Sequence, residues 1–127
     1  MKEDPLDKLI VEKDTNDFSL ELLASTLQGF VRFTKEGEII FESSFYPLPE
    51  WKKIVIYLLS RKVISIKKLI TNYEEGAGPK DISEVIGATS KNISRDLATK
   101  LKSLVRNENS KYKIPNYNIT KCAEMLK

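Results

Sequence analysis

The chain of 127 residues contains no histidine and a single cysteine, Cys122. Within one chain this excludes an internal disulfide, a Cys/His zinc site, a Ser-His-Asp triad and a Cys-His pair. No cluster of metal-binding carboxylates and no nucleophile-base pair stands out either. The expectation is therefore a protein that is not an enzyme and needs no cofactor. No apolar run approaches the roughly 20 residues that a membrane helix requires, so no membrane partner is expected. The opening Met1-Lys2-Glu3-Asp4-Pro5 lacks the apolar core of a secretory leader, and a cytoplasmic address is expected. Glycine and proline number only five each, so each one carries weight as punctuation between elements.

Charge is what the sequence has in excess, and it is unevenly placed. Residues 1–50 hold 5 Lys/Arg against 11 Asp/Glu, a net −6, and residues 51–127 hold 16 against 7, a net +9. A basic C-terminal part suits a polyanion, and an acidic N-terminal part suits another partner, such as a second copy of the chain. Solvated surface charge is the plain alternative.

Behind Asp4-Pro5, the apolar group Leu6, Leu9, Ile10 and Val11 fits a short helix or arm within the first 17 residues. From Asp17 or Ser19, Leu20, Leu23 and Leu27 fall on one helical face, and Gly29 provides the stop. Phe30–Thr34 and Glu38–Glu42 read as two strands around Lys35-Glu36-Gly37, where glycine allows a tight turn. Pro47 and Pro49 then mark the main boundary. Residues 1–48 are expected to form a helix and β-hairpin unit that serves pairing, and 49–127 a second domain. Phe30, Phe33, Phe41, Phe45, Tyr46 and Trp51 are read as hairpin core, with a pocket or a dimer interface as the alternative. Beyond the boundary, Trp51, Ile54, Val55, Leu58 and Leu59 predict a helix to about Arg61. Val63, Ile66, Leu69, Ile70 and Tyr73 predict a second helix, or a kinked continuation, to Glu74.

The segment after Gly78 carries the functional signal. Pro79 and Asp81 start a short helix with Ile82, Val85 and Ile86 on its apolar side, and Gly87 ends it. Thr89 caps a longer helix in which Ile93, Leu97, Leu101 and Leu104 point inward. Its outward face, Ser90, Lys91, Asn92, Ser94, Arg95 and Ala98, holds only small or polar groups. Short polar side chains permit close approach to a major groove, and Asn and Arg reach base edges.

Asp81–Leu97 resembles, without a gap, the helix-turn-helix of winged-helix transcriptional regulators, the broad group that includes the MarR-like and ArsR-like families. Ser83, Gly87, Ile93, the pair Ser94-Arg95 and Leu97 stand at that group's characteristic positions. The resemblance covers about residues 62–127. It takes Ile66–Gly76 as the first helix of the domain, Leu104-Val105-Arg106 as the first wing strand and Asn107–Lys111 as the wing tip. Tyr112-Lys113-Ile114 would then be the returning strand, and Tyr117–Lys121 the start of a closing helix capped by Thr120. Pro115 must make the returning strand irregular or an edge. The fold implied is α+β, a mostly helical winged helix-turn-helix with an N-terminal helix and hairpin extension. The function implied is regulation of transcription by binding double-stranded DNA as a homodimer, with Thr89, Ser90, Lys91, Asn92, Ser94, Arg95, Arg106, Lys111 and Lys113 as contacts. Lys52, Lys53, Lys67 and Lys68 are held as phosphate neighbours only. The alternative is a winged helix used as a protein-interaction module in a larger assembly. Cys122 reads as a buried apolar residue rather than a redox switch.

Overall fold

The computed structural model describes residues 20–126; the arm expected at the N-terminus lies outside them. The chain is an α+β protein of five helices and two small antiparallel hairpins among these residues. In order they are α1 (Leu20–Leu27), β1 (Val31–Phe33), β2 (Ile39–Phe41), α2 (Glu50–Lys67), α3 (Pro79–Ile86), α4 (Ser90–Ala98), β3 (Arg106–Glu108), β4 (Lys111–Lys113) and α5 (Ile119–Met125), with one 3₁₀ turn at Asn116–Asn118 before α5.

The centre of the molecule is α2. No glycine or proline interrupts residues 50–67, and all six residues Ile54–Leu59 are buried. A helix covered on every side is enclosed by other elements rather than laid on a surface. The stripe expected from Trp51, Ile54, Val55, Leu58 and Leu59 is thus only part of its apolar surface, because Ile56 and Tyr57 on the other side are covered as well. One continuous core joins α2 to Leu23 and Leu27 of α1, Val31 of β1, Phe45, Ile82 of α3, Ile93 and Leu97 of α4, and Ile119 and Cys122 of α5. The N-terminal helix and hairpin share this core with the rest of the chain.

The first hairpin follows the sequence expectation. Val31 pairs with Phe41 and Phe33 with Ile39, and Gly37 takes φ +90° in the turn. A Cβ at Gly37 would come within 2.5 Å of Ile70 Cγ1, so backbone and packing both demand glycine there.

The helix expected over 63–74 does not form. Instead α2 runs unbroken to Lys67, and Lys68 adopts a left-handed backbone, φ 53°. The Leu69 N–H then donates to the Ile64 carbonyl over 3.1 Å, which closes the helix as a Schellman-type cap. The left-handed residue is a lysine, so the usual glycine signal is missing. Leu69, Ile70 and Tyr73 consequently sit in an irregular segment, and α2 takes the place expected for two helices.

Arg61 fixes that segment. Its Nε donates to the Glu75 carbonyl over 2.8 Å, and Nη2 donates to those of Glu74 and Gly76 over 2.6 and 3.2 Å. Nη1 donates to the Tyr57 hydroxyl, and the guanidinium lies 4.8 Å from the centre of the Tyr73 ring. Beside it Lys62, only 3% exposed, places Nζ 2.9 Å from Glu75 Oε2 and donates to Asn116 Oδ1 over 2.6 Å. Held this way, the segment delivers Ala77 to the second hairpin. Ala77 and Tyr112 exchange backbone hydrogen bonds of 3.0 and 2.8 Å, so a one-residue bridge flanks β4.

The second hairpin is tighter than expected. Arg106 pairs with Lys113 and Glu108 with Lys111, and Asn109 and Ser110 turn the chain with φ of 54° and 65°. Two successive positive φ values give the two-residue turn whose twist suits a hairpin. The strands are therefore 106–108 and 111–113 rather than 104–106 and 112–114, and Pro115 falls after the ladder, at the entry to the 3₁₀ turn. Asn118, not Thr120, stands at the N-cap of α5. Its side-chain amide donates instead to the carbonyls of Ser103 and Leu104, over 3.3 and 2.9 Å.

Replacing Arg61 by alanine should lower stability by about 2–4 kcal/mol, because three carbonyls lose a charged donor. Lysine should restore little of this, since one ammonium cannot span the three acceptors. Urea denaturation checks both variants; an Arg61→Lys chain as stable as the parent would remove this role.

Candidate nucleic-acid interface

The geometry of α3, its turn and α4 follows from local chemistry. The Gly78 N–H donates to Asp81 Oδ2 over 3.2 Å, closing the start of α3 behind Pro79. Gly87 ends α3 with φ 81°, and nothing lies within 4 Å of a Cβ placed there, so this glycine serves the backbone alone. The Ser83 hydroxyl donates to the Ala88 carbonyl and ties α3 to the turn. Thr89 caps α4, its Oγ1 accepting the Asn92 N–H over 3.2 Å.

Ile93 and Leu97 are buried beneath α4, which turns Ser90, Lys91, Ser94, Arg95 and Ala98 outward, all exposed, with Asn92 half-buried. The helix is shorter than expected. It ends at Ala98, and Leu101 and Leu104 reach the core from the turns that follow. Asp96 is 2% exposed and points inward. Its Oδ1 has no hydrogen-bond partner and lies 3.7 Å from Arg95 Nε. The exposed face of α4 is thus free of acid, and Arg95 carries a buried negative charge behind it.

The second hairpin supplies the remaining candidates in a different electrostatic setting. Arg106 Nε lies 3.0 Å from Glu108 Oε1, and Lys111 Nζ lies 2.7 Å from Glu74 Oε1. Lys113 is half-buried. Arg106 and Lys111 therefore share their surface with exposed acids, whereas the one acid beside Arg95, Asp96, is buried, and the outward neighbours of Lys91 and Arg95 are hydroxyls and Asn92. The structure brings Thr89 to Arg95 together on one helix and places Arg106, Lys111 and Lys113 on the hairpin, which packs on α2 and Ala77. Of the possible phosphate neighbours, Lys52 lies over the Trp51 ring and Lys53 over that of Phe45, at 5.5 and 5.7 Å. Lys67 and Lys68 are exposed.

Among the described residues, no group of three or more His, Cys, Asp or Glu could hold a metal ion, and no helix is long and apolar enough to cross a membrane. No family model, curated protein or solved structure matches the chain.

Cys122 is fully buried on α5. Burial pushes its thiol from the ordinary 9.0 up to about 12, opposed by the charges of Lys62 and Lys121. Between these values the folded chain keeps a proton that the unfolded chain releases. The resulting stability is complete below pH 9 and is lost as pH rises toward 12. The parent should therefore lose stability faster than Cys122→Ala between pH 9 and 11, by up to about 1.4 kcal/mol per pH unit. The Tyr73 phenol, also raised by burial, cancels in that comparison of urea midpoints. Separately, Thr89→Ala should cost about 1 kcal/mol by uncapping α4, measurable in the same denaturation.

Proposed function

We propose that the chain is a winged helix-turn-helix protein that binds double-stranded DNA and regulates transcription, with α4 as the recognition helix. The observation that carries this reading is the exposed, acid-free face of Ser90, Lys91, Asn92, Ser94 and Arg95, backed by buried Ile93 and Leu97. The layout around it is compatible with this reading, with α2 rather than residues 66–76 as the first helix, followed by a short α3, a glycine turn, α4, a two-stranded hairpin with a bridge to Ala77, and a closing helix.

At nine residues α4 is about 13 Å long, and its slim polar face suits a major groove about 12 Å wide. Thr89 spends its side-chain oxygen on the cap, so its part is to hold the first turn in shape. The unpaired N–H groups and positive dipole end of that turn favour a phosphate. Lys91 supplies a second phosphate contact, and Ser90, Asn92, Ser94 and Arg95 reach base edges. Arg106 and Lys111 exchange their carboxylate partners for phosphates on the flanking backbone, and Lys113 adds a further cation beside them. One such helix covers a short site, so specificity requires two copies spaced by about one helical turn, near 34 Å.

A second reading, a winged helix that docks on a protein partner, draws support from the hairpin, where Arg106 and Lys111 already have acidic partners in Glu108 and Glu74. Salt dependence separates the two. Duplex affinity, followed by fluorescence anisotropy, should fall by orders of magnitude between about 50 and 200 mM salt. Lys91→Ala with Arg95→Ala should weaken binding at least tenfold and flatten the slope of log K against log salt by about 2. Affinity that survives the double substitution, or that ignores salt, would falsify the recognition-helix reading.

A further inference from the structure

An apolar groove of about 560 Å³ runs along α1, floored by Leu23, Leu27 and Val31 and walled by Leu20, Val63 and Ile66. Lys67, in the last turn of α2, stands on its rim. Leu20, the first described residue, is 57% exposed. No residue of α3, α4 or the second hairpin lines the groove, so it is separate from the candidate nucleic-acid face.

We propose that the groove seats the chain's own N-terminal segment, with Leu6, Leu9, Ile10 and Val11 against the side chains of α1, Val63 and Ile66. Three observations converge on this occupant. The segment enters at the rim, because residue 19 adjoins Leu20, which itself lines the groove. Its reach is sufficient: the eight residues 12–19 can span up to about 28 Å, whereas α1, with eight residues, is about 12 Å long. A chain folding back from Leu20 is therefore long enough for residues 6–11 to reach any part of α1. The intervening Asp14-Thr15-Asn16-Asp17 is composed of residues that favour such a reversal.

The chemistry matches as well. Residues 1–19 hold 3 lysines against 6 acids, net −3, a sign opposite to that of Lys67 on the rim. Their only cluster of aliphatics is Leu6, Leu9, Ile10 and Val11, and burying apolar surface gains about 25 cal/mol per Å². Tethering favours this occupant over a second copy, because a short linker presents the segment at an effective concentration in the millimolar range.

Disulfide trapping in the full chain tests this. In a Cys122→Ala background, Val63→Cys is combined in turn with Leu6→Cys, Leu9→Cys, Ile10→Cys and Val11→Cys, and each protein is oxidised at micromolar concentration. The expected result is an intrachain disulfide in at least one pair, seen as a monomer that has lost two protons by mass spectrometry. Crosslinking between chains, or free thiols in all four, overturns the proposal, the former in favour of a second copy. In the otherwise unaltered chain, Leu9→Asp with Ile10→Asp should lower the melting temperature by about 4 °C or more and increase binding of the apolar dye ANS. An unchanged melting temperature and dye signal count against the seat, whatever the DNA affinity of the variant.

Discussion

The arrangement of the C-terminal half depends on one interaction, the capture of three consecutive backbone carbonyls by Arg61. Residues 74–76 belong to no helix or strand, so their acceptors need partners from elsewhere. A planar guanidinium with fixed donors meets three of them at once, and the Tyr57 and Tyr73 rings lie beside it. With that segment fixed to α2, Ala77 reaches Tyr112, and α3 starts at a set distance from the second hairpin. The neighbouring Lys62 reinforces the arrangement through Glu75 and Asn116. Its ammonium is buried, so losing either acceptor would leave a charge poorly compensated.

The candidate face on α4 inherits its geometry from this frame. Two aliphatics fix how the helix is rotated, a threonine and a left-handed glycine fix where it begins, and the Ser83 hydroxyl joins α3 to the turn. What remains outward is short, polar and cationic. Burial also redistributes charge relative to a count along the sequence. Lys62 is withdrawn into the interior and Asp96 faces inward, while Glu74 and Glu108 balance Lys111 and Arg106. The positive character of residues 51–127 is therefore concentrated more on α4 and on exposed lysines than on the hairpin.

Much of this was legible where a residue's own backbone preference decides the outcome. Gly37 and Gly87, Pro79 with Asp81, and Thr89 each mark an end or a turn by local chemistry, and each does so in the structure. The errors lie where a distant group overrides a local pattern. Leu69, Ile70 and Tyr73 continue a helical spacing, yet Lys68 turns left-handed and Arg61 holds the chain beyond it in another path. Leu101 and Leu104 also continue the spacing of α4 and are buried, but from turns. Asn109-Ser110 makes the hairpin turn without a glycine, which displaced the expected strands by two residues or fewer.

The sequence by itself determined the order of most elements, the turn between α3 and α4, and which side of α4 is apolar, because glycine, proline, caps and helical periodicity act over a few residues. Only the tertiary structure decided where α2 stops, that its other side is enclosed as well, and how the chain from 69 to 77 reaches the second hairpin. Those outcomes rest on contacts between residues far apart in sequence, such as Arg61 with Glu74–Gly76, Lys62 with Asn116, and Ala77 with Tyr112. Local spacing carries no trace of such contacts.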